Sequence, residues 1–471
     1  MSQESSCKVK EFELIYELND KPPVTESLFA ALQHFLAMFI GIMTPQIFIS
    51  NALGMSLEMS AYMISMALFI SGVATFIQAK KIGPLGSGML SIQGTSFAFL
   101  STIISIGMGV INKGGSPENA VATICGVALV GSLIQMTCSR FLPVLRKVFP
   151  PLVSGIVVTM IGLSLIKVGI VDFGGGFAAM GNGTFGSLQN LGLGLLVLLL
   201  IIVMNRSKSP FVRISSVAIG LVVGYIVAAC MGLVDFSKVG ELNLVSIPVP
   251  FKYGIGFDWG GFVLMGFLYI ITIVESIGDL TATAMLSNQP VKGEQYIKTI
   301  SGGVLADGFN SALAAVFNTF PNTTFSQNNG VIQLTGVASR YVGFYIAGLL
   351  ALVGIFPVVG GIFSLIPKPV LGGATLILFG SVAAAGIKII ASQAITRRAM
   401  LIMAIAFGAG LGVTFAPDIL KHLPKFAQTV LSSAITTGGF AAIIANLVLA
   451  KDVEDVEDVE DLEMEPAGEE A

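Results

Sequence analysis

The chain has little charge and few of the residues that build metal or redox sites. Only 11% of its 471 residues are charged, whereas a soluble protein carries about a quarter. The two histidines, His34 and His422, and four cysteines without a CxxC pair argue against a metal centre and favour free thiols. No nucleophile–base pair is apparent either. We therefore expect no catalytic residue, no bound metal and no cofactor.

The chain is instead rich in apolar residues. It is 54% hydrophobic with a mean hydropathy of +0.86, and apolar segments of near-spanning length recur from Leu28 to Leu449. The period-2 alternation of a membrane barrel is absent. Residues 1–27 lack the apolar stretch of a signal peptide, so the first spanning helix is expected to direct insertion. These features predict an all-α polytopic membrane protein.

The apolar pattern divides into about fourteen segments. They are predicted at Leu28–Ile49, Ala61–Ile77, Met89–Val110, Ala120–Thr137, Leu152–Val171, Leu191–Met204, Ser216–Val234, Gly261–Ile277, Gly302–Phe317, Ser326–Val337, Tyr341–Phe356, Val370–Ile390, Ala399–Phe415 and Val430–Ala450. Most lysines and arginines then fall in the even-numbered connections, which predicts cytoplasmic N- and C-termini. The polar residues 1–27 form a cytoplasmic arm in this interpretation, and the acidic residues 451–471 a disordered tail.

Two of these segments resemble each other. The sequences that begin at Pro151 and Pro369 align at one constant offset, which also places Gly155 on Gly373 and Gly162 on Gly380. Helices that start with proline and contain glycine are common in membranes, so chance remains an alternative. If the likeness is a repeat, an odd number of segments per half makes the two halves inverted. Inverted repeats are typical of secondary transporters, whose sites lie at broken helices near the membrane midplane.

The stretch from Phe317 to Gly336 breaks the apolar pattern most strongly. Pro321 interrupts it, and amides and hydroxyls fill much of it. An unpaired polar group costs several kcal/mol in hydrocarbon, so such a stretch is tolerated only where it is buried in protein or lines a cavity. The third segment, with Gly94 and Ser96, is interrupted in the same way. We predict that the two broken segments form a polar small-molecule site.

Few ionisable residues lie within the predicted spanning segments or beside their ends. Glu275 and Asp279 are four residues apart on one helical face, Asp307 is in the next segment, and His34 is in the first. A purely structural alternative exists for each of these residues, namely a hydrogen bond between two helices. However, two acidic positions on neighbouring helices that face a polar cavity also suit a proton-coupled carrier.

The polar side chains indicate the kind of substrate. An amide such as Gln327 offers a donor and an acceptor together, and with a carboxylate it matches a planar ring of alternating N–H and C=O groups. Phe97 and Phe325 are placed to stack on such a ring. Arginine and lysine occur only at the ends of these segments, so an anionic substrate is not expected.

The polar stretch also resembles a known family. QNNGVIQLTG, from Gln327 to Gly336, is similar to the signature [QEP]-N-x-G-x-x-x-x-T-[RKG] of the nucleobase–ascorbate transporters. The likeness continues through QH at Gln33, VESIGD at Val274, GGVLADG at Gly302 and GVASRYVG at Gly336, and it is greatest with bacterial xanthine permeases. The matching signature positions are Gln327, Asn328, Gly330, Thr335 and Gly336.

The resemblance implies a fold and a domain arrangement. It implies fourteen segments in two inverted repeats of seven, short strands in segments 3 and 10, and a dimer formed through the gate domain. In that arrangement residues 28–137 and 261–356 form a core domain, and residues 138–260 and 357–450 form the gate domain. It also implies a multi-pass protein of the bacterial inner membrane.

The resemblance further implies roles for individual residues. Glu275 and Gln327 are expected to bind the purine, Ser326 and Phe97 to add backbone or stacking contacts, and Ser96 to affect selectivity. Asp307, Asn328 and His34 are expected to support binding and coupling, and Asp279 is grouped with them.

The function expected from residues and resemblance together is proton-coupled import of xanthine. Uric acid or uracil is the alternative substrate within the family. A channel is less favoured, because channels use rings of repeated charges or carbonyls and this chain has one asymmetric amide cluster. The expected partners are a purine, a proton, the lipid bilayer and a second copy of the chain, and no nucleic acid.

Overall fold

The computed structural model describes residues 13–142, 150–209, 212–213, 215–291, 293–391, 394–431 and 433–449. The first twelve residues of the predicted arm and the predicted disordered tail at 451–471 lie outside the described residues.

Helices form most of the described chain. In the first half they are α1 Val24–Ala52, α2 Leu57–Lys80, α3 Leu100–Ile111, α4 Pro117–Cys138, α5 Pro151–Phe173, α6 Gly176–Gly181, α7 Leu188–Asn205 and α8 Ser216–Cys230. In the second half they are α9 Trp259–Leu286, α10 Gly293–Val316, α11 Gln327–Thr335, α12 Arg340–Gly354, α13 Pro357–Ser364, α14 Lys368–Ile390, α15 Arg397–Phe415, α16 Lys425–Leu431 and α17 Ala434–Val448. A short 3₁₀ helix, Phe97–Phe99, precedes α3.

Local sequence signals explain several helix starts. Ser56 accepts a hydrogen bond from the Met59 N–H at the start of α2, and Asp258 does the same for the Gly261 N–H of α9 at 2.7 Å. Ser116 caps α4, where Pro117 occupies the first helical position. Each cap satisfies an N–H group that has no partner within the helix.

Among the residues that the structure describes, eight helices are long and apolar enough to cross a membrane, and the bent pair α12 and α13, which meet at 76°, makes a ninth if counted as one span. The structure therefore supports a multi-pass membrane protein, but it does not confirm the count of fourteen spans. The polar breaks leave α3 and α11 with 12 and 9 residues, fewer than the roughly 20 that a complete crossing requires.

The two broken segments meet in a small sheet, as the family resemblance implied. Strand β1, Gln93–Thr95, pairs antiparallel with β2, Asn322–Thr324. Gln93 lies opposite Thr324, Gly94 opposite Thr323 and Thr95 opposite Asn322. The Ser96 N–H donates to Pro321 O at 2.9 Å and the Phe325 N–H to Ile92 O at 3.0 Å. These bonds satisfy backbone groups that hydrocarbon could not.

The chain forms two compact units. Unit 1 contains residues 1–145 and 166–378, and unit 2 contains residues 146–165 and 379–471. Unit 1 includes both strands and all of the predicted site residues. The boundaries between these units fall inside α5 and α14 and differ from the bounds predicted for a core and a gate domain. The division into those two domains therefore stays a prediction.

Helices α5 and α14 are the two segments whose sequences resemble each other. Each has 23 residues and begins with or beside a proline. In unit 2, Gly162 packs against the Ala383 backbone. In the same unit, Gly155 packs against the Gly386 carbonyl and the Ile390 nitrogen. One residue number rises as the other falls, so the helices are antiparallel, the arrangement expected of an inverted repeat.

The end of the N-terminal arm attaches to the connection after α11. The N–H groups of Ile15 and Tyr16 donate to Gly336 O at 2.8 and 3.2 Å, and the Arg340 N–H donates to Leu18 O at 3.0 Å. Gly336 has a φ of +66°, and a Cβ there would lie 3.2 Å from the Ile15 nitrogen. A glycine suits this position because the arm lies against it and the backbone is left-handed.

Candidate functional site

The N-terminal end of α11 carries two of the predicted substrate-binding residues. Ser326 and Gln327 follow β2 after one residue, Phe325, and both residues are exposed. The first N–H groups of a helix have no intrahelical partner. At this end the Asn328 and Asn329 N–H groups donate to Phe325 O and Ser326 O at 3.0 Å, so the Ser326 and Gln327 N–H groups are the donors beside the Gln327 amide.

The broken third segment contains β1, and Ser96 and Phe97 come directly after that strand. Phe97 is half-buried, whereas Ser96 is buried and its hydroxyl accepts a hydrogen bond from the Ala98 N–H at 3.3 Å. Ser96 therefore caps the short 3₁₀ helix that begins at Phe97. Changes at Ser96 are expected to alter the position of the Phe97 ring.

The structure corrects the expectation that Phe325 stacks on a ligand. Phe325 is only 7% exposed. Its ring covers Gly41 and Gly94, where a Cβ would lie 2.9 and 2.5 Å from the ring carbons. The glycines create the space that this ring fills, so Phe325 is a packing residue between α1 and the strands.

Helix α9 presents two carboxyl groups to the strands and α11. Asp279 accepts a hydrogen bond from the Thr324 hydroxyl at 3.2 Å, and its backbone oxygen accepts one from the Asn329 amide at 3.3 Å. Glu275 lies one turn earlier and is half-buried. No described side chain forms a hydrogen bond with the Glu275 carboxyl, so both of its oxygens remain available to a ligand.

Asp307 of α10 is fully buried and held by two side chains. The Ser276 hydroxyl donates to its Oδ2 at 2.5 Å, and the Gln78 amide donates to its Oδ1 at 3.3 Å. Asn310 and Ser311, the polar residues that follow Asp307 on α10, do not hold its carboxyl. Asn310 donates to Ala74 O and Ser311 to Asn322 O, because both side chains face the backbone of neighbouring elements.

The three carboxyl groups form one electrostatic cluster. Asp279 lies within interaction range of both Glu275 and Asp307, and Asp307 lies within range of Glu275. Like charges at such distances repel one another, and a proton bound by one member relieves the repulsion. The cluster is therefore suited to exchange a proton beside the exposed Gln327.

Asn328 connects α11 to the segment before β1. Its amide donates to Leu90 O at 2.6 Å. The His34 imidazole of α1 is fully buried beside the Asn328 side chain. These residues support the polar end of α11 from the side, as their predicted supporting role requires.

The last two signature residues end the helix. The Thr335 hydroxyl donates to Val331 O at 2.9 Å and accepts from the Val337 N–H at 3.2 Å. Gly336 follows in a left-handed conformation. Thr335 and Gly336 therefore set the end of α11 and the attachment of the arm, at the opposite end from Gln327.

Sequence reasoning missed three buried polar residues that the fold brings to this region. Gln78 and Ser276 hold Asp307, and the Gln46 amide donates to Thr95 Oγ1 at 3.2 Å and Thr319 Oγ1 at 2.6 Å. A glutamine within an apolar segment was a usable signal, because a polar group at membrane depth requires a partner.

A cavity of about 540 Å³ lies at the other end of α11. Tyr16, Glu26, Phe29, Gln33 and Thr335 line it, and the Tyr16 hydroxyl donates to Glu26 Oε2 at 2.5 Å. That bond raises the pKa of Tyr16. Within the described part of the chain, no group of three His, Cys, Asp or Glu side chains is suited to a metal ion.

Comparison with known proteins agrees with this arrangement. The chain is 48% identical to the xanthine permeases XanQ and XanP of Escherichia coli K12 over 437 residues, which cover 93% of this chain and 94% of each relative. It is 33% identical to the xanthine permease of Bacillus subtilis 168, over 90% of this chain and 93% of that protein.

Solved structures share the fold. The transmembrane domain of the cyanobacterial bicarbonate transporter BicA matches 92% of this chain and all of that domain, with a TM-score of 0.55 and 13% identity. The murine anion transporter Slc26a9 in its inward-facing state matches 92% of this chain and 70% of that protein, with a TM-score of 0.58 and 12% identity.

A family model gives the assignment. The model of the permease family Xan_ur_permease matches residues 25–419, which include both strands, the carboxyl cluster and all of α11. The chain therefore belongs to this permease family, the nucleobase–ascorbate transporters, and is a membrane transporter.

Proposed function

We propose that the chain is a proton-coupled symporter that imports xanthine across the cell membrane. One observation carries the proposal: the paired strands bring the exposed Gln327 beside a helix with two carboxyl groups, Glu275 and Asp279. The names of the E. coli and B. subtilis relatives support xanthine as the substrate.

The chemistry of the site matches a purine with several carbonyl and N–H groups. The Gln327 amide pairs one donor and one acceptor with the ring edge. The Glu275 carboxylate accepts from ring N–H groups, and the half-buried Phe97 covers one face. Ser326 contributes its backbone N–H. Asn328 and His34 position α11, and Ser96 positions Phe97.

A competition experiment tests the substrate. Cells that express the chain should accumulate labelled xanthine saturably, and unlabelled xanthine should compete far better than uracil. Stronger competition by uric acid or uracil would identify that compound as the substrate instead. Uptake without saturation and without dependence on pH would contradict a carrier and favour a channel.

The positions of the charged residues support an orientation in the membrane, and the family resemblance supports an arrangement of domains. We infer that both termini are cytoplasmic, because lysine and arginine concentrate on that side of the predicted connections. In this proposal the core domain, residues 28–137 and 261–356, moves against a dimeric gate domain, residues 138–260 and 357–450.

Two glycines of α14, Gly373 and Gly380, which align with glycines of α5, test the moving surface. Gly380 has no described atom within 4 Å of a Cβ built on it, whereas a Cβ at Gly373 would clash with the Gly194 carbonyl of α7. We expect Gly380→Leu to lower the transport rate several-fold while xanthine binding stays within about twofold. Gly373→Leu should reduce the amount of folded protein, because backbone cannot move aside easily.

The measurement compares uptake rate and equilibrium binding at equal protein levels in membranes. If Gly380→Leu changed binding and left the rate intact, Gly380 would not lie at a sliding or dimer surface.

A further inference from the structure

Three buried amides near the strands have polar atoms without partners. Gln46 of α1, Asn310 of α10 and Asn322 of β2 are 0%, 0% and 2% exposed. Among the described residues, Gln46 Oε1, Asn310 Oδ1 and both side-chain polar atoms of Asn322 have no hydrogen-bond partner. A buried polar atom that stays unpaired destabilises the fold, and water is the usual partner of such groups.

Gln46 and Asn322 belong to one connected set, and Asn310 is the neighbour in sequence of Ser311, which bonds Asn322. The Gln46 amide bonds Thr95, which lies directly opposite Asn322 in the sheet. Side chains of opposite residues share a face and lie roughly 5 Å apart at Cβ. Ser311 accepts from the Asn322 N–H at 3.1 Å and donates to Asn322 O at 3.0 Å.

The set reaches the carboxyl cluster at one end. Asn310 and Ser311 follow Asp307 on α10 by three and four residues, so the three side chains lie on the same part of the helix. The charged groups near Asp307 are Glu275 and Asp279, both from α9. Helix α2 contributes the neutral Gln78 amide to the same carboxyl.

The other end reaches an exposed connection. Gln46 also bonds Thr319, and the preceding Asn318 donates to Val249 O at 3.1 Å and accepts from the Tyr253 N–H at 3.3 Å. Val249 is exposed in the connection between α8 and α9. The proposed orientation places this connection on the outer side of the membrane.

We propose that Asn318, Thr319, Gln46, Asn322 and Asn310 hold a file of water molecules that carries the coupling proton from the outer solution to Asp307. The proposal rests on the proposed function, a proton-coupled symporter, and it assigns the coupling proton to Asp307, the carboxyl that is fully buried. Each water accepts one proton and donates another along the file. One proton thus leaves the outer solution and one arrives on the Asp307 carboxylate, which becomes a neutral carboxyl.

Removing the unpaired amide groups should slow this transfer and leave the fold intact. Asn322→Leu removes an amide without a described partner and keeps the branched shape of the side chain. Gln46→Leu also removes the hydrogen bonds to Thr95 and Thr319. An apolar replacement of a buried unpaired group is neutral or stabilising, so a purely structural role predicts no loss of uptake for Asn322→Leu. We expect proton-driven xanthine uptake to fall at least about tenfold in both variants and to recover partly when the outer pH is lowered. Asn322→Ser should retain most of the rate.

The experiment uses the full chain in vesicles and measures uphill uptake and xanthine–xanthine exchange at equal pH on both sides. Exchange requires no net proton transfer, so it should stay within about twofold of the unchanged protein. Gln135→Leu on α4 is the control, because Gln135 is also buried with an unpaired Oε1 but lies outside the set.

Normal uphill uptake in Asn322→Leu and Gln46→Leu would overturn the proposal, and so would an equal loss of exchange. If Asn322→Leu failed to reach the membrane, Gln46→Leu and Asn310→Leu would decide the result. If Asp307→Asn kept uphill uptake, the assignment of the coupling proton to Asp307, and with it the water file, would fail. If Asp307→Asn lost uphill uptake while Asn322→Leu and Gln46→Leu kept it, the water file would be rejected and the role of Asp307 would stand.

Discussion

Asp307→Asn should abolish uphill accumulation of xanthine while substrate binding and exchange persist. The amide keeps the shape of the side chain and can still bond Ser276, but it cannot bind and release a proton. A membrane potential of 100 mV contributes about 2.3 kcal/mol per charge moved, enough for roughly 50-fold accumulation. The variant should lose that accumulation entirely.

Glu275→Gln should give the complementary result. Its carboxyl lacks a described partner, so its loss should weaken xanthine binding itself, because an amide cannot supply two acceptors to ring N–H groups. Binding and proton-driven uptake measured in reconstituted vesicles separate the two roles.

Glu294→Gln is the matched control on α10. Glu294 is exposed and pairs with Lys298 at 2.5 Å, one helical turn away, so its loss should leave both measurements unchanged. If Asp307→Asn still accumulated xanthine uphill with an unchanged pH profile, the coupling proton would belong to another group, and Glu275 would be the next candidate.

Gln327→Ala should weaken xanthine binding roughly 30- to 1000-fold, which corresponds to about 2–4 kcal/mol. The side chain stands exposed at the start of α11, so its removal should not affect folding. The loss arises because the buried ring edge keeps a donor and an acceptor that no longer have partners.

Gln333→Ala is the control for this substitution. Gln333 is an exposed glutamine of the same helix, six residues beyond Gln327 and therefore on a different face. Binding should stay within about twofold in that variant. Near-normal uptake in Gln327→Ala at equal membrane abundance would remove Gln327 from the site.

The polar break could be located from the sequence because hydrocarbon penalises polar groups so strongly. Asn318 to Gln333 stood out against apolar neighbours, and the short strands and the half-helix that follow were predicted correctly from the resemblance. The repeat was visible at Pro151 and Pro369 because close helix packing requires glycines at fixed spacing.

The partners of individual side chains could not be predicted in this way. Asn310 and Ser311 lie near Asp307 in sequence, yet the carboxyl is held by Gln78 and Ser276 from two other helices. Phe325 was expected to stack on a ligand, but Gly41 and Gly94 leave it a buried space. Such contacts depend on how helices rotate about their axes, which the pattern of one segment does not specify.

The sequence by itself determined the membrane class, the position of the broken segments and the chemical type of the site, because these follow from the cost of polar groups in lipid. The tertiary structure decided which carboxyl is held and which is available, since Asp307 is bonded twice and Glu275 has no described partner. It also decided that Gly336 receives the N-terminal arm. These outcomes depend on contacts between residues far apart in the chain, where packing selects one partner among several of similar chemistry.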